Sequence, residues 1–348
     1  MSRRSSFRKL LPLILLVIVV LFLETGHHKQ NIKGDSTTQS NLPAASAPAG
    51  SLSLITEPAA SVQPVIDLIN SAKKSVDMVM YELQDPQVEQ ALVAAHNRGV
   101  TVRVLLNGGY YGTPDKHQPN KNAYDYLQKN GVDVHYTPGY FALTHQKTLV
   151  VDGSTGLIMT FNLQPQYYAT SRDFGIIDKD AQDVSAIETV FNADWQQIKL
   201  SQTPVGDDLL WSPGSESATV SLINQAKKSI KVYNEEMADK RVVAALGDAA
   251  MRGVDVKIVM TDQKSWHQNF STLKSQGAHI STFHGETPVY VHAKMIVVDD
   301  TKAFLGSENF SLTSLERNRE LGLVTTDKAI IASLNNTFNN DFQIAAPY

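Results

Sequence analysis

Short apolar runs rich in β-branched residues alternate along most of the chain with segments whose apolar positions recur at helical spacing. The runs at residues 76–80 and 100–106 each follow a helix-like segment, and Gly99 and Gly253 stand where helices should stop. Twice over, the alternation reads as helix, strand, helix, strand, helix, strand, then further strand and helix, which predicts α/β domains. The doubling is also visible residue by residue. "LINSAKKSVDMVMYELQD" from Leu68 is matched by "LINQAKKSIKVYNEEMAD" from Leu222, and "RGVTVRVLL" from Arg98 by "RGVDVKIVM" from Arg252, both at an offset of 154. Gly131 and Gly277 lie 146 apart, so the first copy has eight extra residues before Gly131, in the Gly-, Pro-, Asn- and Tyr-rich stretch "GGYYGTPDKHQPNKN", a loop. We expect two similar α/β domains with mixed sheets, residues 52–203 and 204–348, related by a pseudo-two-fold axis.

The N-terminus follows a different pattern. Arg3, Arg4, Arg8 and Lys9 precede an unbroken apolar run at residues 10–23, closed by Glu24. As a helix those fourteen residues would span about 21 Å, short of a hydrocarbon core of roughly 30 Å. Residues 1–23 therefore read as a signal peptide or an N-terminal membrane anchor, and residues 24–51, rich in Ser, Thr, Ala, Pro, Gly and Gln, as a flexible linker. The expectation is an exported protein: secreted, periplasmic or anchored by its N-terminus. The 348 residues hold no cysteine, which excludes disulfides, thiolate catalysis and cysteine-built metal centres. Residues 34–348 carry 25 Lys and Arg against 34 Asp and Glu, a charge of −9, with no general excess of cations for nucleic acid.

Candidate chemistry sits at the repeat's second landmark. The pattern His-x-Lys-x-x-x-x-Asp occurs as His145, Lys147, Asp152 and again as His292, Lys294, Asp299. Each copy is followed by an amide, Asn162 or Asn309, and then an acid, Asp173 or Glu320, all at an offset of 147. A lone His-x-Lys on a strand is usually a surface or satisfied pair. Duplication at fixed spacing turns the reading towards a site that grips a phosphodiester and works on its phosphorus from two sides. Strand parity puts His145 with Lys147, and His292 with Lys294, on one face, and gives Asp152 and Asp299 the other. The aspartates should then anchor strand ends.

The blocks "HQKTLVVDG", "MTFN" and "SRDFG", with "HAKMIVVDD", "GSEN" and "NRELG", resemble the phospholipase D superfamily, the HKD phosphodiesterases. The usual Gly-Ser-x-Asn is intact at Gly306, Ser307 and Asn309, whereas the first copy reads Met159, Thr160, Asn162. The resemblance implies two domains about a pseudo-two-fold axis and the catalytic set His145, Lys147, Asp152, His292, Lys294 and Asp299. Lys147, Lys294, Asn162 and Asn309, with Ser307 and Thr160, would bind the substrate phosphate. By the same resemblance His145 is the nucleophile, forming a phosphohistidine, and His292 the acid/base. Asp173 and Glu320 would orient the histidines. No metal and no cofactor is required, because the lysines supply the charge a metal would.

The leading expectation is a phospholipase D-type hydrolase that releases phospholipid head groups at a membrane surface and leaves phosphatidic acid. Alternatives are a nuclease with nucleic acid as substrate, or a head-group transferase of the cardiolipin synthase kind. A monomer suffices for a complete site. Glu82 and Glu236 read as solvated strand-end carboxylates. The loop aromatics Tyr110, Tyr111, Tyr140, Phe141, Trp266, Phe283 and Tyr290 read as substrate contacts or plain packing. His135, His267 and His284 have no motif context.

Overall fold

The computed structural model describes residues 42–109, 118–285 and 289–348. Residues 1–23, most of the linker, and Tyr110 and Tyr111 lie outside them.

The first repeat begins with β1 (Leu52–Glu57), α1 (Gln63–Ser71), β2 (Ser75–Met80), α2 (Pro86–Asn97) and β3 (Thr101–Leu106). It continues through α3 (Lys121–Lys129), β4 (Asp133–Tyr136), β5 (Thr148–Val151), β6 (Thr155–Met159), β7 (Ser171–Asp178) and α4 (Ala181–Trp195). The second opens with β8 (Leu209–Ser212), α5 (Glu216–Asn224), β9 (Ser229–Tyr233), α6 (Lys240–Met251), β10 (Asp255–Thr261) and α7 (His267–Ser275). Then come β11 (His279–Phe283), β12 (Tyr290–Val291), β13 (Lys294–Val298), β14 (Lys302–Gly306), α8 (Leu312–Glu316), β15 (Glu320–Thr325), α9 (Lys328–Ile344) and β16 (Ala346–Pro347).

Each repeat folds around one mixed sheet. In the first the strand order is β1-β7-β6-β5-β2-β3-β4, and in the second β8-β15-β14-β13-β9-β10-β11 with β16 added at the edge. The orders are the same under the repeat. Strands β2, β3 and β4 pair in parallel, as crossover helices require, and β5, β6, β7 and β1 pair antiparallel. Local chemistry sets the helix starts in duplicate: Asp85 and Asp239 cap α2 and α6, and Asp180 and Asp327 cap α4 and α9, each accepting from main-chain N–H groups one turn in. Each cap stabilises its helix by about 1 kcal/mol. Gly99 and Gly253, both at φ +88°, take the left-handed turn that ends α2 and α6.

The outer face of each sheet is covered by its own helices. Val65, Leu92 and Leu127 pack on one sheet, and Leu222, Leu246 and Phe270 on the other. The inner faces share a third core, in which Val150, Ile158 and Phe174 of the first repeat meet Trp211, Tyr233 and Met295 of the second, with α4 and α9 contributing Ile187, Val190, Leu334 and Phe338. Both repeats thus belong to one compact unit. They also exchange main chain. Strand β12 of the second repeat pairs with β7 of the first, and Thr144 bridges to Arg319 in the opposite sense.

Candidate active site

That exchange delivers the histidines. The His145 N–H donates to the Arg319 carbonyl at 2.9 Å, and the His292 N–H to the Arg172 carbonyl at 3.2 Å. Each histidine therefore leaves its own repeat's strand at the point where it touches the other repeat. The consequence is a crossed pairing. His145 Nδ1 donates to Glu320 Oε2 at 2.8 Å, and His292 Nδ1 donates to Asp173 at 3.0 Å. Every histidine is oriented by the acid of the opposite copy, with Nε2 left for chemistry. Glu320 also accepts from Ser314 Oγ at 2.6 Å and Asn318 Nδ2 at 3.0 Å, whereas Asp173 is held by the Thr160 hydroxyl at 2.5 Å.

The charged groups are buried together. Lys147 is 1% exposed, Lys294 0% and His145 9%. Burial drives the His145 imidazole down to about 4, against the pull of Glu320 and with a further push from Lys147 and Lys294. Burial likewise brings the Lys147 ammonium down to about 7, helped by Lys294 and opposed by Glu320, Glu235 and Glu82. Lys147 Nζ donates to the His145 carbonyl at 2.6 Å and lies 4.9 Å from the centre of the Tyr81 ring. Burial raises Glu320, but His145 outweighs it and holds the carboxyl below its ordinary range. Asn162 and Asn309 each keep a side-chain oxygen buried and without a hydrogen-bond partner.

Three expectations need correction. Asp152 and Asp299 do not stand with the histidines. They follow β5 and β13 at φ +55° and +52°, and each accepts three main-chain N–H bonds, from Lys73, Lys74 and Ser75 and from Lys227, Lys228 and Ser229. Seven residues of largely extended chain put them on the order of 20 Å from their motif histidines, so they tie the turn before β2 and β9, in line with strand parity, and do not stand beside the reacting groups. Thr160 is fully buried, donating to Asp173 and accepting from the Phe174 N–H at 2.9 Å, so its hydroxyl is not free for a phosphate. The Ser307 hydroxyl accepts from the Leu321 N–H at 3.1 Å between β14 and β15, and only its carbonyl reaches His145, at 3.1 Å.

The carboxylates and aromatics also sort themselves. Glu82 is buried, and Glu236, half-buried with its carboxyl pushed up to about 7 by burial and Glu235, lies 3.5 Å from Asn309 Nδ2; neither is a solvated strand end. Tyr140 donates to Asp194 at 3.2 Å, and Phe141 lies under the Arg319 guanidinium, so both pack rather than face the site. Trp266 and Phe283 are core residues. Of the named aromatics among the described residues, Tyr290 alone reaches the histidine cluster, donating to Glu235 at 2.8 Å. His267 and His284 pair with Asp262, and His135 stacks on Trp195.

Several residues of the site carry no motif signal. The rings of Tyr81 and His145 meet in a T-shaped contact with centroids 4.6 Å apart. Its repeat-mate is Glu235, whose Oε2 is 3.1 Å from Lys294 Nζ and 3.6 Å from His292 Nε2. Glu308 is buried with neither carboxyl oxygen hydrogen-bonded and is pushed well above the carboxylate range by burial and Glu320; it fits because Gly306 and Gly322 have no Cβ. Two buried ion pairs flank the site: Arg172 with Asp341 at 2.7 Å and Arg319 with Asp194 at 2.9 Å. Both cross between repeats, and both partners are related by the offset of 147, a signal present in "SRDFG"/"NRELG" and "FNADW"/"FNNDF".

Two mixed sheets joined about paired histidines and lysines define an enzyme of the phosphodiester-handling kind. Residues 65–195 and 219–342 match the family described as "Cardiolipin synthase, PLD-like domain", and the chain belongs to that family of the phospholipase D superfamily. It is 25% identical to the major cardiolipin synthase ClsA of Bacillus subtilis over 86% of this chain and 70% of that protein. A cardiolipin synthase of Listeria monocytogenes is 23% identical over 78% of this chain and 65% of its own length. Among solved structures, the phosphatidylserine synthase of Haemophilus influenzae superposes with a TM-score of 0.68 at 15% identity, covering 88% of this chain and 89% of that one. The polyphosphate kinase of Porphyromonas gingivalis gives 0.66 at 14%, over 84% of this chain and 48% of that one. At such identities these two speak for the fold alone.

The relatives correct two further expectations. They are synthases, which supports transfer over the degradative hydrolase reading. They also overturn export: the match to cardiolipin synthases lends nothing to a secreted, periplasmic or N-terminally anchored protein. Among the described residues, no helix is long and apolar enough to cross a membrane.

Proposed function

We propose that the chain is a phosphatidyl transferase that exchanges one phospholipid head group for another alcohol through a phosphohistidine, in the manner of a cardiolipin synthase. The observation carrying this reading is the crossed histidine–carboxylate pairing, which presents two Nε2 atoms beside two buried lysines. His145 Nε2 gives its lone pair to phosphorus, the P–O bond to the head group breaks, and the departing oxygen takes the proton of His292 Nε2. An acceptor hydroxyl then attacks phosphorus while its proton passes to His292, and the P–N electron pair returns to His145. Lys147 and Lys294, with Asn162 and Asn309, take the charge that builds on the non-bridging oxygens. Burial of His145, Lys147 and Lys294 limits access of bulk water to the phosphohistidine, which favours an alcohol carried in on a lipid as second nucleophile. Among the described residues no three His, Asp or Glu side chains are placed to hold a metal ion, and the lysines supply the positive charge.

The test is to incubate the full chain with phosphatidylglycerol vesicles in ¹⁸O-labelled water containing a chelator. We expect cardiolipin and free glycerol to dominate. Phosphatidic acid bearing ¹⁸O as the sole product would restore the hydrolase reading, and cleavage of DNA or RNA with every lipid intact would replace lipid by nucleic acid.

A further inference from the structure

The repeat makes two half-sites of the same chemistry, yet transfer needs them to act differently. Among the described residues, one break in that symmetry places a carboxylate within reach of a histidine Nε2. The residue after β2 is Tyr81, whose ring packs at 68° to that of His145, and the residue in the same repeat position after β9 is Glu235. Its Oε1 accepts from Tyr290 OH at 2.8 Å, which fixes the carboxylate. Its Oε2 lies 3.1 Å from Lys294 Nζ, 3.4 Å from Asn309 Nδ2 and 3.6 Å from His292 Nε2. Lys294 and His292 outweigh the effect of burial and hold the Glu235 carboxyl well below its usual range, so it is an anion.

We propose that Glu235 is the positioning residue that assigns the two histidines their roles, holding His292 as the proton carrier and leaving His145 as the nucleophile. This rests on the transferase reading above. The groups facing His292 are Asp173 on Nδ1, Glu235 near Nε2 and Lys294 beneath, with Glu236 beyond Glu235; those facing His145 are Glu320 on Nδ1, Lys147 and Lys294, with Glu235 acting on it more weakly than on His292. Carboxylates beside both ring nitrogens stabilise the positive charge that the His292 ring bears while it carries a proton between substrate oxygens. The 3.6 Å gap decides how Glu235 acts: it is close enough to stabilise positive charge on the ring, and too long for a hydrogen bond that would tie up the Nε2 proton. That proton stays available to the departing oxygen. His145 is packed at a steep angle against the Tyr81 ring instead, and its burial, with Lys147 and Lys294, outweighs Glu320, so its Nε2 keeps its lone pair.

The experiment compares the full chain with Glu235→Gln and Glu235→Tyr, the latter restoring the first repeat's residue. In chains with ¹⁵N-labelled histidine and no lipid present, the ring-nitrogen resonances of His292 should move in both variants, and by more than those of His145. No movement at His292 overturns the inference whatever the substrate proves to be. With phosphatidylglycerol, rapid quenching should trap phosphate on the peptide holding His145, and in Glu235→Gln kcat should fall at least tenfold with KM little changed and the adduct still on His145. An adduct on His292 in the unaltered chain would reverse the roles and overturn the inference. Faster turnover with lower KM in Glu235→Gln would mean the carboxylate merely fills the phosphate seat, and would overturn it too. Movement at His292 with no lipid adduct on either histidine would instead sink the transferase reading alone.

Discussion

At Lys147, stability and chemistry pull in opposite directions. The ammonium is buried beside Lys294, and its proton is lost near 7 rather than near 10.5. Across that window the unfolded chain holds one proton more than the folded one, so stability should rise with pH between about 7 and 10.5. Below 7 the full cost of the buried charge applies, on the order of 5 kcal/mol. Lys147→Met should therefore abolish turnover yet raise the melting temperature at pH 6, with the gain shrinking as pH approaches 10; a lower melting temperature at pH 6 would show that the ammonium stabilises the fold. The same groups predict the pH profile. His145 must be neutral to attack, which places the acid limb of kcat/KM near 4, and Lys147 must be charged to hold the phosphate, which places an alkaline limb near 7. Residue identities of this kind were legible because the motif repeats at one offset. Glu235 was not, because matching two copies rewards agreement and passes over the position where Tyr81 faces a carboxylate.

Elements tell a different story, since the first residues of β7 and the residues that lead into and open β15 do two jobs side by side. Arg172 and Arg319 turn their guanidinium groups to Asp341 on α9 and Asp194 on α4, while their carbonyls receive His292 and His145. Asp173 and Glu320, the next residues, point the other way and take the imidazoles. The buried ion pairs thus fix the strand segments that aim the histidines. Asp194→Asn should leave the Arg319 charge uncompensated in the interior, costing about 3–5 kcal/mol by thermal or urea melts. Turnover should also fall at temperatures where the variant remains folded, through a displaced His145. A variant with normal kcat and only a lowered melting temperature would separate the two roles. Period-two alternation shows that Asp152 lies off the histidine face, and the structure gives the reason for its presence, three main-chain N–H groups gathered at a left-handed turn. The alternation gives no hint that His145 would meet Glu320 rather than Asp173, because partners 175 residues apart leave no local pattern.

For the whole molecule, duplication made the fold readable: two copies of one helix–strand alternation imply two copies of one sheet, and both sheets have the same strand order. How the copies join was hidden, because the shared core of Phe174, Tyr233 and Phe338 looks in sequence like any other set of buried apolar residues. The joint has a testable consequence. Each imidazole is oriented by an acid from the other repeat of the same chain, which predicts that a single molecule supplies every group of the site. Had the site instead been shared between two chains, a His145→Ala chain and a His292→Ala chain could each lend the intact histidine the other lacks, and mixing two dead variants would restore activity. The crossed contacts within one chain predict that the mixture stays inactive at every ratio, even after denaturation and refolding together, and that specific activity of the unaltered chain on a fixed lipid surface is constant on dilution. Recovery towards a quarter or more of normal turnover after co-refolding would mean that the repeats pair between chains, and that the single-chain site described here is half of an exchanged dimer.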